Sequence, residues 1–175
     1  MSHKQILGIV GSTKKQSSNK KILEFIKTEF AEKLEVDIFD QLEELPHFNP
    51  DLDNNKPPQE IINLRKRIES SDGVILCTPE YVFNLPGSLK NLIEWMVSTT
   101  VFSGKPVGLI VAAASGEKAM ESLDLIMTTI EAKMNDETKL LIKGIKGKMS
   151  SNGTINNAKT RDEIKHLMKE LIKIL

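Results

Sequence analysis

The sequence predicts an α/β chain: a five-stranded parallel sheet with helices on both faces. Three observations carry that reading. Short apolar runs alternate with amphipathic segments along the chain, giving five βα units. The run GVILCT is apolar at successive positions, as a strand covered on both faces requires. Polar turns follow the strands, and the composition offers no second core, so right-handed crossovers into one three-layer sandwich are the economical solution.

The first strand is expected over Ile6 to Val10, a short apolar run followed by the polar turn GSTKKQSSNKK. The first helix runs from about Ser18 to Lys33, with Ile22, Leu23, Ile26 and Phe30 at the spacing of one buried face. Strand two covers Leu34 to Phe39. A long polar connection through Pro46, Pro50 and Pro57 leads to a helix over Pro58 to Ser70. Strand three is Gly73 to Thr78, and the next helix begins near Pro86 and ends near Thr99. Strand four is Pro106 to Ala113. A helix from Glu117 to Lys133 follows, turning Met120, Leu123, Ile126, Met127 and Ile130 inward. Strand five is Lys139 to Ile142, and the last helix is Thr160 to Leu175. The strand order that fits is 2-1-3-4-5, the flavodoxin-like arrangement. In it the loops after strands one and three flank the topological switch point, where open α/β sheets bind ligands.

At 175 residues the chain is one domain's worth, long enough to bury roughly two-thirds of its extended surface. Basic and acidic residues number 24 each, so there is no electrostatic footprint for nucleic acid or an anionic membrane. The lysine-rich stretches LIKGIKGKM and KHLMKELIKIL read as solvated surface. One cysteine, Cys77, excludes an internal disulfide and a multi-cysteine metal site, and it is expected to pack within strand three. His3, His47 and His166 have no partner set for metal or acid–base work. No apolar signal segment or spanning run is present, so the expected address is the cytoplasm.

Three loops carry the candidate chemistry. After strand one, Ser12, Thr13, Ser17, Ser18 and Asn19 crowd polar side chains around the free amides of a helix start, with Lys14 and Lys15 adding charge. The turn lacks both GxxxxGK[ST] and GxGxxG, which excludes the usual triphosphate and dinucleotide loops. A monophosphate held by side chains as well as backbone fits, which points to a mononucleotide such as FMN. A serine cap on a solvated helix fits the local pattern equally. After strand three, TPEYVFNLPGSLKNLIEW turns a buried strand into a Pro-stiffened loop and then a helix. After strand four, Ser115 and Gly116 put small residues at the strand end, where a flat ligand would have room. An ordinary connection capped by Ser115 is the alternative.

GSTKKQSSN resembles the GSxRxxSxN phosphate loop of the NADPH-dependent FMN reductase family, which includes flavodoxin-like quinone, azo and chromate reductases. TPEYVFNLPGSLKNLIEW resembles that family's TPEYNxSxPGxLKNAIDW segment, and the likeness extends over nearly the whole chain. It implies a noncovalent FMN whose phosphate is gripped by the residues matching Ser12, Lys14, Ser17 and Asn19, with Ser18 adding a hydroxyl or serving the cap. Lys14 stands where the family commonly has Arg, keeping the charge but losing the bidentate fork. Pro79, Glu80, Tyr81, Val82, Phe83 and Asn84 match the loop whose main chain lies against the flavin ring. Val82 replaces the usual Asn, and Asn84 the usual Ser. Ser115 and Gly116 match the loop closing on the ring from strand four.

The resemblance further implies hydride transfer from NADPH or NADH to flavin N5, then passage of electrons to a quinone, azo, flavin or similar small acceptor at the same face. No catalytic side chain and no metal are called for, because the cofactor carries the hard step. Amides near Glu80, Tyr81 and Ser115 are expected to face the ring. A homodimer or homotetramer is implied, and the apolar stretch Trp95, Met96, Val97, Val101 and Phe102 serves either subunit contact or internal packing. Two other classes stay open: an electron carrier of the flavodoxin type reduced by a protein partner, and a nonredox domain of the same fold. The sequence does not separate NADH from NADPH.

Overall fold

The computed structural model describes residues 3–175, and the side chains of all of these but 54 and 55. Its strands are β1 (Lys4–Val10), β2 (Leu34–Phe39), β3 (Gly73–Thr78), β4 (Val107–Ala113) and β5 (Lys139–Lys143). Its helices are α1 (Ser18–Glu29), α2 (Pro50–Asn55), α3 (Gln59–Ser70), α4 (Gly87–Glu94), α5 (Glu117–Thr129) and α6 (Ala158–Ile174). The sheet is parallel throughout and its order is β2-β1-β3-β4-β5, as the alternating pattern predicts.

Successive residues of a strand face opposite ways, so each central strand feeds two cores. Leu7, Ile9, Leu76, Leu109 and Val111 pack beneath α3, α4 and α5. Ile6, Val10, Ile75, Cys77 and Ile110 pack beneath α1 and α6, meeting Ile22, Leu23 and Ile26 on one helix and Ile164, Leu167 and Leu171 on the other. Every residue of β3 and β4 is buried. Each large aliphatic side chain so placed stabilises the fold by about 1.5–3 kcal/mol.

Several ends differ from the sequence expectation. α1 stops at Glu29, not Lys33: Phe30 leaves the helical dihedrals at φ −109° and ψ 13°, and its carbonyl takes the Lys33 and Leu34 amides, each at 2.9 Å, as the chain turns into β2. α4 stops at Glu94, not near Thr99, and turns carry the chain onward. α5 likewise ends at Thr129, short of Lys133. The connection after β2 holds an unpredicted helix, α2, started by Asn49, whose Oδ1 accepts from the Asp51 amide at 3.0 Å, with Pro50 preset for the first turn.

That connection is pinned by α4. Asn91 accepts from the Phe48 amide at 2.7 Å and donates to the Pro46 carbonyl at 3.0 Å, while the Trp95 indole donates to the same carbonyl at 2.8 Å. Trp95 is fully buried, edge-to-face with Phe48 at 5.1 Å. Met96 and Phe102 are buried too, and Val101 packs against the same cluster. Of the stretch weighed as a subunit contact, Val97 is the exposed member.

Candidate functional site

The site begins where β1 and β3 end side by side. The Gly11 amide donates to the Cys77 carbonyl at 2.7 Å, extending the pairing one residue past β1. A Cβ on Gly11 would stand 2.4 Å from Thr78 Oγ1 and 2.9 Å from its Cα, so only glycine lets the two chain ends approach this closely. The following loop is thereby aimed across the sheet edge.

In that loop Ser12, Ser17 and Asn19 are buried polar residues. Ser12 Oγ accepts from the Lys14 amide at 3.3 Å, and Ser17 is the N-cap of α1, accepting from the Lys20 amide at 3.1 Å. The cap reading and the anion reading are therefore compatible: the cap leaves the hydroxyl proton of Ser17 and the first amides of α1 free of intrahelical acceptors. The Cys77 thiol donates to Asn19 Oδ1 at 3.4 Å. Full burial pushes the Cys77 pKa well above the ordinary thiol value, so it stays protonated and serves packing. Lys20 is engaged elsewhere; its hydrogen bond to Asp40 raises its pKa.

The loop after β3 is tied across to the next one. Glu80 accepts from the Gly116 amide at 3.1 Å and the Ala119 amide at 3.0 Å, capping α5 from the neighbouring strand. Tyr81 and Asn84 exchange backbone hydrogen bonds of 2.9 and 3.0 Å around a two-residue turn, with Val82 at φ 51° and Phe83 at φ 56°. This left-handed pair has the backbone of a tight hairpin turn that normally takes Asn-Gly. Val82 is 96% exposed and Phe83 74%. Asn84 Oδ1 accepts from the Leu85 amide at 2.8 Å, so that side chain is satisfied within its own turn.

These loops enclose a cavity of about 440 Å³. Of the residues singled out from the sequence, Ser12, Lys14, Ser17, Ser18, Asn19, Pro79, Glu80 and Tyr81 line it, and Val82, Phe83, Asn84, Ser115 and Gly116 do not. Ser115 is exposed, and it is not the cap of α5. Gly116 takes φ 103° as the N-cap residue, and a Cβ there would meet Leu141 Cδ1 at 2.7 Å. Its small size thus serves packing against β5. The room beside β4 comes from Ala112, Ala113 and Ala114. The Tyr81 amide, expected to face the ring, is committed to Asn84, and the Gly116 amide to Glu80.

One wall was not anticipated. Gly144, Ile145, Lys146 and Gly147 line the cavity from the loop after β5, a stretch read from its lysines as solvated surface. β5 is the parallel neighbour of β4, so its carboxyl end opens onto the same edge, and the Gly144 amide donates to the Ala114 carbonyl at 3.2 Å. Lys143 and Glu117 add an ion pair between the same two loops; the Lys143 hydrogen bond lowers the Glu117 pKa. The available signal was two glycines three apart directly after a strand, in KGIKGK.

The lining therefore combines the cations Lys14 and Lys146 with Pro79, Tyr81, Ile145 and three alanines, and the Glu80 carboxylate among them is held by the Gly116 and Ala119 amides. A hollow of about 510 Å³ over β5 and α6 is lined by Asp136, Glu137, Asp162 and Glu163 together with Lys139, Lys159 and His166, and it lies away from the loops that follow β1 and β3.

The model of the NADPH-dependent FMN reductase family matches residues 5–143. The chain belongs to that family. This FMN reductase family member is 28% identical to the NADH:(hydroxy)cinnamate reductase subunit CrdA of Vibrio ruber, over 95% of this chain and 84% of that one. It is 26% identical to a 2-hydroxy-1,4-benzoquinone reductase of a Burkholderia species, over 94% and 92%. Among solved structures it resembles FerB of Paracoccus denitrificans, a flavoenzyme NAD(P)H:(acceptor) oxidoreductase, with a TM-score of 0.85 and 26% identity, covering 97% of this chain and 96% of that one.

The protein is an NAD(P)H-dependent flavoenzyme reductase with FMN as its cofactor. The cavity fits that group. Its volume lies in the range of small-molecule sites, its buried hydroxyls and two lysines suit a phosphate, and its alanine-lined end suits a flat apolar ring.

Proposed function

We propose that the chain transfers electrons from NAD(P)H to a flat, conjugated small acceptor of the quinone type, in a single cavity that admits donor and acceptor in turn. The observation that carries this reading is that one 440 Å³ cavity is lined both by Ser17, Asn19 and Lys14 and by Pro79, Tyr81 and Ala112–Ala114. The quinone and hydroxycinnamate activities of the relatives support a conjugated acceptor. FMN, when bound, supplies hydride acceptance and electron release. Ser12, Lys14, Ser17, Ser18 and Asn19 would hold its phosphate, and Pro79, Glu80 and Tyr81 its ring, with Ala112–Ala114 beside them.

What the protein's own residues do is positional. Lys14 and the first amides of α1 neutralise phosphate charge. Glu80 locks the ring loop to α5, so the walls keep their spacing as substrates exchange. Pro79, Ile145 and the alanines keep water from the apolar end. Among the described residues no helix is long and apolar enough to cross a membrane. A cytoplasmic address, where NAD(P)H is supplied, belongs to the same reading. So does a homo-oligomer in which exposed Val82, Phe83 and Val97 meet another copy.

The test is anaerobic reduction of the FMN-loaded protein by NADPH and by NADH, followed by quinones, azo dyes and free flavin as acceptors. Bleaching of the flavin absorbance by a nicotinamide and its return with a quinone are expected. Bleaching without return on any small acceptor would refute the acceptor class.

A further inference from the structure

The loop after β5 brings a cation, Lys146, to the cavity wall. It sits on a short 3₁₀ turn, Ile145–Lys148, that is fastened on both sides. Before it, the Gly144 amide donates to the Ala114 carbonyl at 3.2 Å, and Gly144 takes φ 63°, a left-handed bend that glycine adopts without a steric penalty. Ile145 is buried in the core beneath α1 and α6. After it, the Gly147 amide donates to the Gly144 carbonyl and the Asn156 amide to the Lys148 carbonyl, each at 3.0 Å. The backbone under Lys146 is therefore held in place, while the residue itself is exposed.

Two hollows locate its side chain. Lys146 lines the main cavity with Ser17 and Ser18, and with the same two residues it lines a neighbouring hollow of about 230 Å³. It therefore stands beside the start of α1, where Ser17 caps the helix. Lys143, on the same loop, pairs with Glu117, whereas Lys146 and Lys14 are in no ion pair among the described residues. Glu80 is the acidic side chain of the described lining, and the Gly116 and Ala119 amides already hold its carboxylate. Two lysines from different strand ends thus share one cavity with a helix N-terminus.

We propose that Lys146 supplies a second cation at the FMN phosphate, beside Lys14, and that this contact makes the site select phosphorylated flavin over riboflavin. The inference rests on the phosphate placement proposed above. A phosphate monoester carries about −1.5 to −2 charges at neutral pH. One lysine and a helix N-terminus, worth about +1 and +0.5, leave part of that charge uncompensated. Lys14 is a point charge on a flexible stem, without the paired donors of a guanidinium, so a second donor from another direction adds orientation as well as charge. The loops after β1 and β5 are then joined through the phosphate. Riboflavin, whose ribityl chain ends in a neutral hydroxyl, gives Lys146 no counter-charge. Lys146 lies past residues 5–143, the span that the family model matches, so the family pattern does not supply this contact.

The test is fluorescence titration of the flavin-free chain with FMN and with riboflavin, for the native protein, Lys146→Gln, Lys146→Arg and Lys14→Gln, at low and high salt. Lys146→Gln should weaken FMN about tenfold, as loss of a hydrogen bond to a charged group does, and leave riboflavin within about twofold. Lys146→Arg should restore the preference for FMN, and the salt dependence of FMN binding should be shallower in Lys146→Gln than in the native chain. Equal weakening of both flavins would make Lys146 a wall residue without a phosphate role and overturn the proposal. So would an unchanged FMN-to-riboflavin ratio in Lys146→Gln; if Lys14→Gln lowers that ratio at the same time, the phosphate placement stands and the Lys146 contact alone falls. A native chain that binds both flavins equally refutes the phosphate placement and the contact together.

Discussion

The carboxylate of Glu80 reaches across from the end of β3 to accept the Gly116 amide at 3.1 Å, so one side chain both lines the cavity and caps the helix that follows β4. With the Ala119 bond at 3.0 Å it satisfies two of the donors that α5 cannot satisfy itself. Glu80→Ala should destabilise the fold by about 1–2 kcal/mol, as loss of an N-cap does, and weaken FMN binding because the ring loop is released. Glu80→Gln keeps one acceptor oxygen and sets its NH2 against the other amide, so it should recover only part of both. Urea unfolding and FMN titration of the pair check this, and equal behaviour of the two variants would refute the clamp.

Ser12→Ala with Ser17→Ala should weaken FMN binding by tenfold or more, since a hydrogen bond to a charged group is worth about 1.5–3 kcal/mol. The Ser17 change also removes the cap bond to the Lys20 amide, so a stability loss of about 1 kcal/mol accompanies it. Fluorescence titration with FMN measures the first and thermal unfolding the second. Unchanged flavin affinity would remove these hydroxyls from the phosphate site.

Val82 and Phe83 hold a turn whose left-handed backbone a β-branched residue adopts at a cost. Replacing them by Asn-Gly should raise stability by about 1 kcal/mol or more. It also removes the two most exposed apolar side chains at the site's rim. If they meet another copy of the chain, the variant should sediment as a smaller species than the native protein; an unchanged sedimentation profile would remove this turn from any subunit contact.

Asp72 supplies a pH dependence. Its carboxylate accepts from the Gln5 amide at 2.7 Å and from Lys4 at 3.0 Å, and these bonds, the backbone one first, hold its pKa below the ordinary 3.8. A depressed carboxylate contributes stability above its unfolded pKa and loses it as the pH falls through the lower folded value. The stability gap between the native chain and Asp72→Asn should therefore be constant near neutrality and close below about pH 4. Denaturant titrations at several acid pH values check the sign. A gap that widens in acid would be inconsistent with it.

The alternation of strands and helices was legible because burial on two faces forces continuous apolar runs on β3 and β4, while helices need only one apolar stripe. That the Ser12–Asn19 loop and the Pro79–Tyr81 loop meet at one cavity was legible for a related reason: polar residues directly after a buried strand mark its carboxyl end, and the parallel order brings those ends to one edge. Contact across elements was not legible. Neighbouring residues do not announce that Glu80 caps α5, that Trp95 and Phe102 face inward, or that the Lys146 loop joins the cavity wall. Those facts depend on which distant segments the sheet sets side by side. Local periodicity reports only whether a residue is turned toward a core, and the packed tertiary structure alone decides what it meets there.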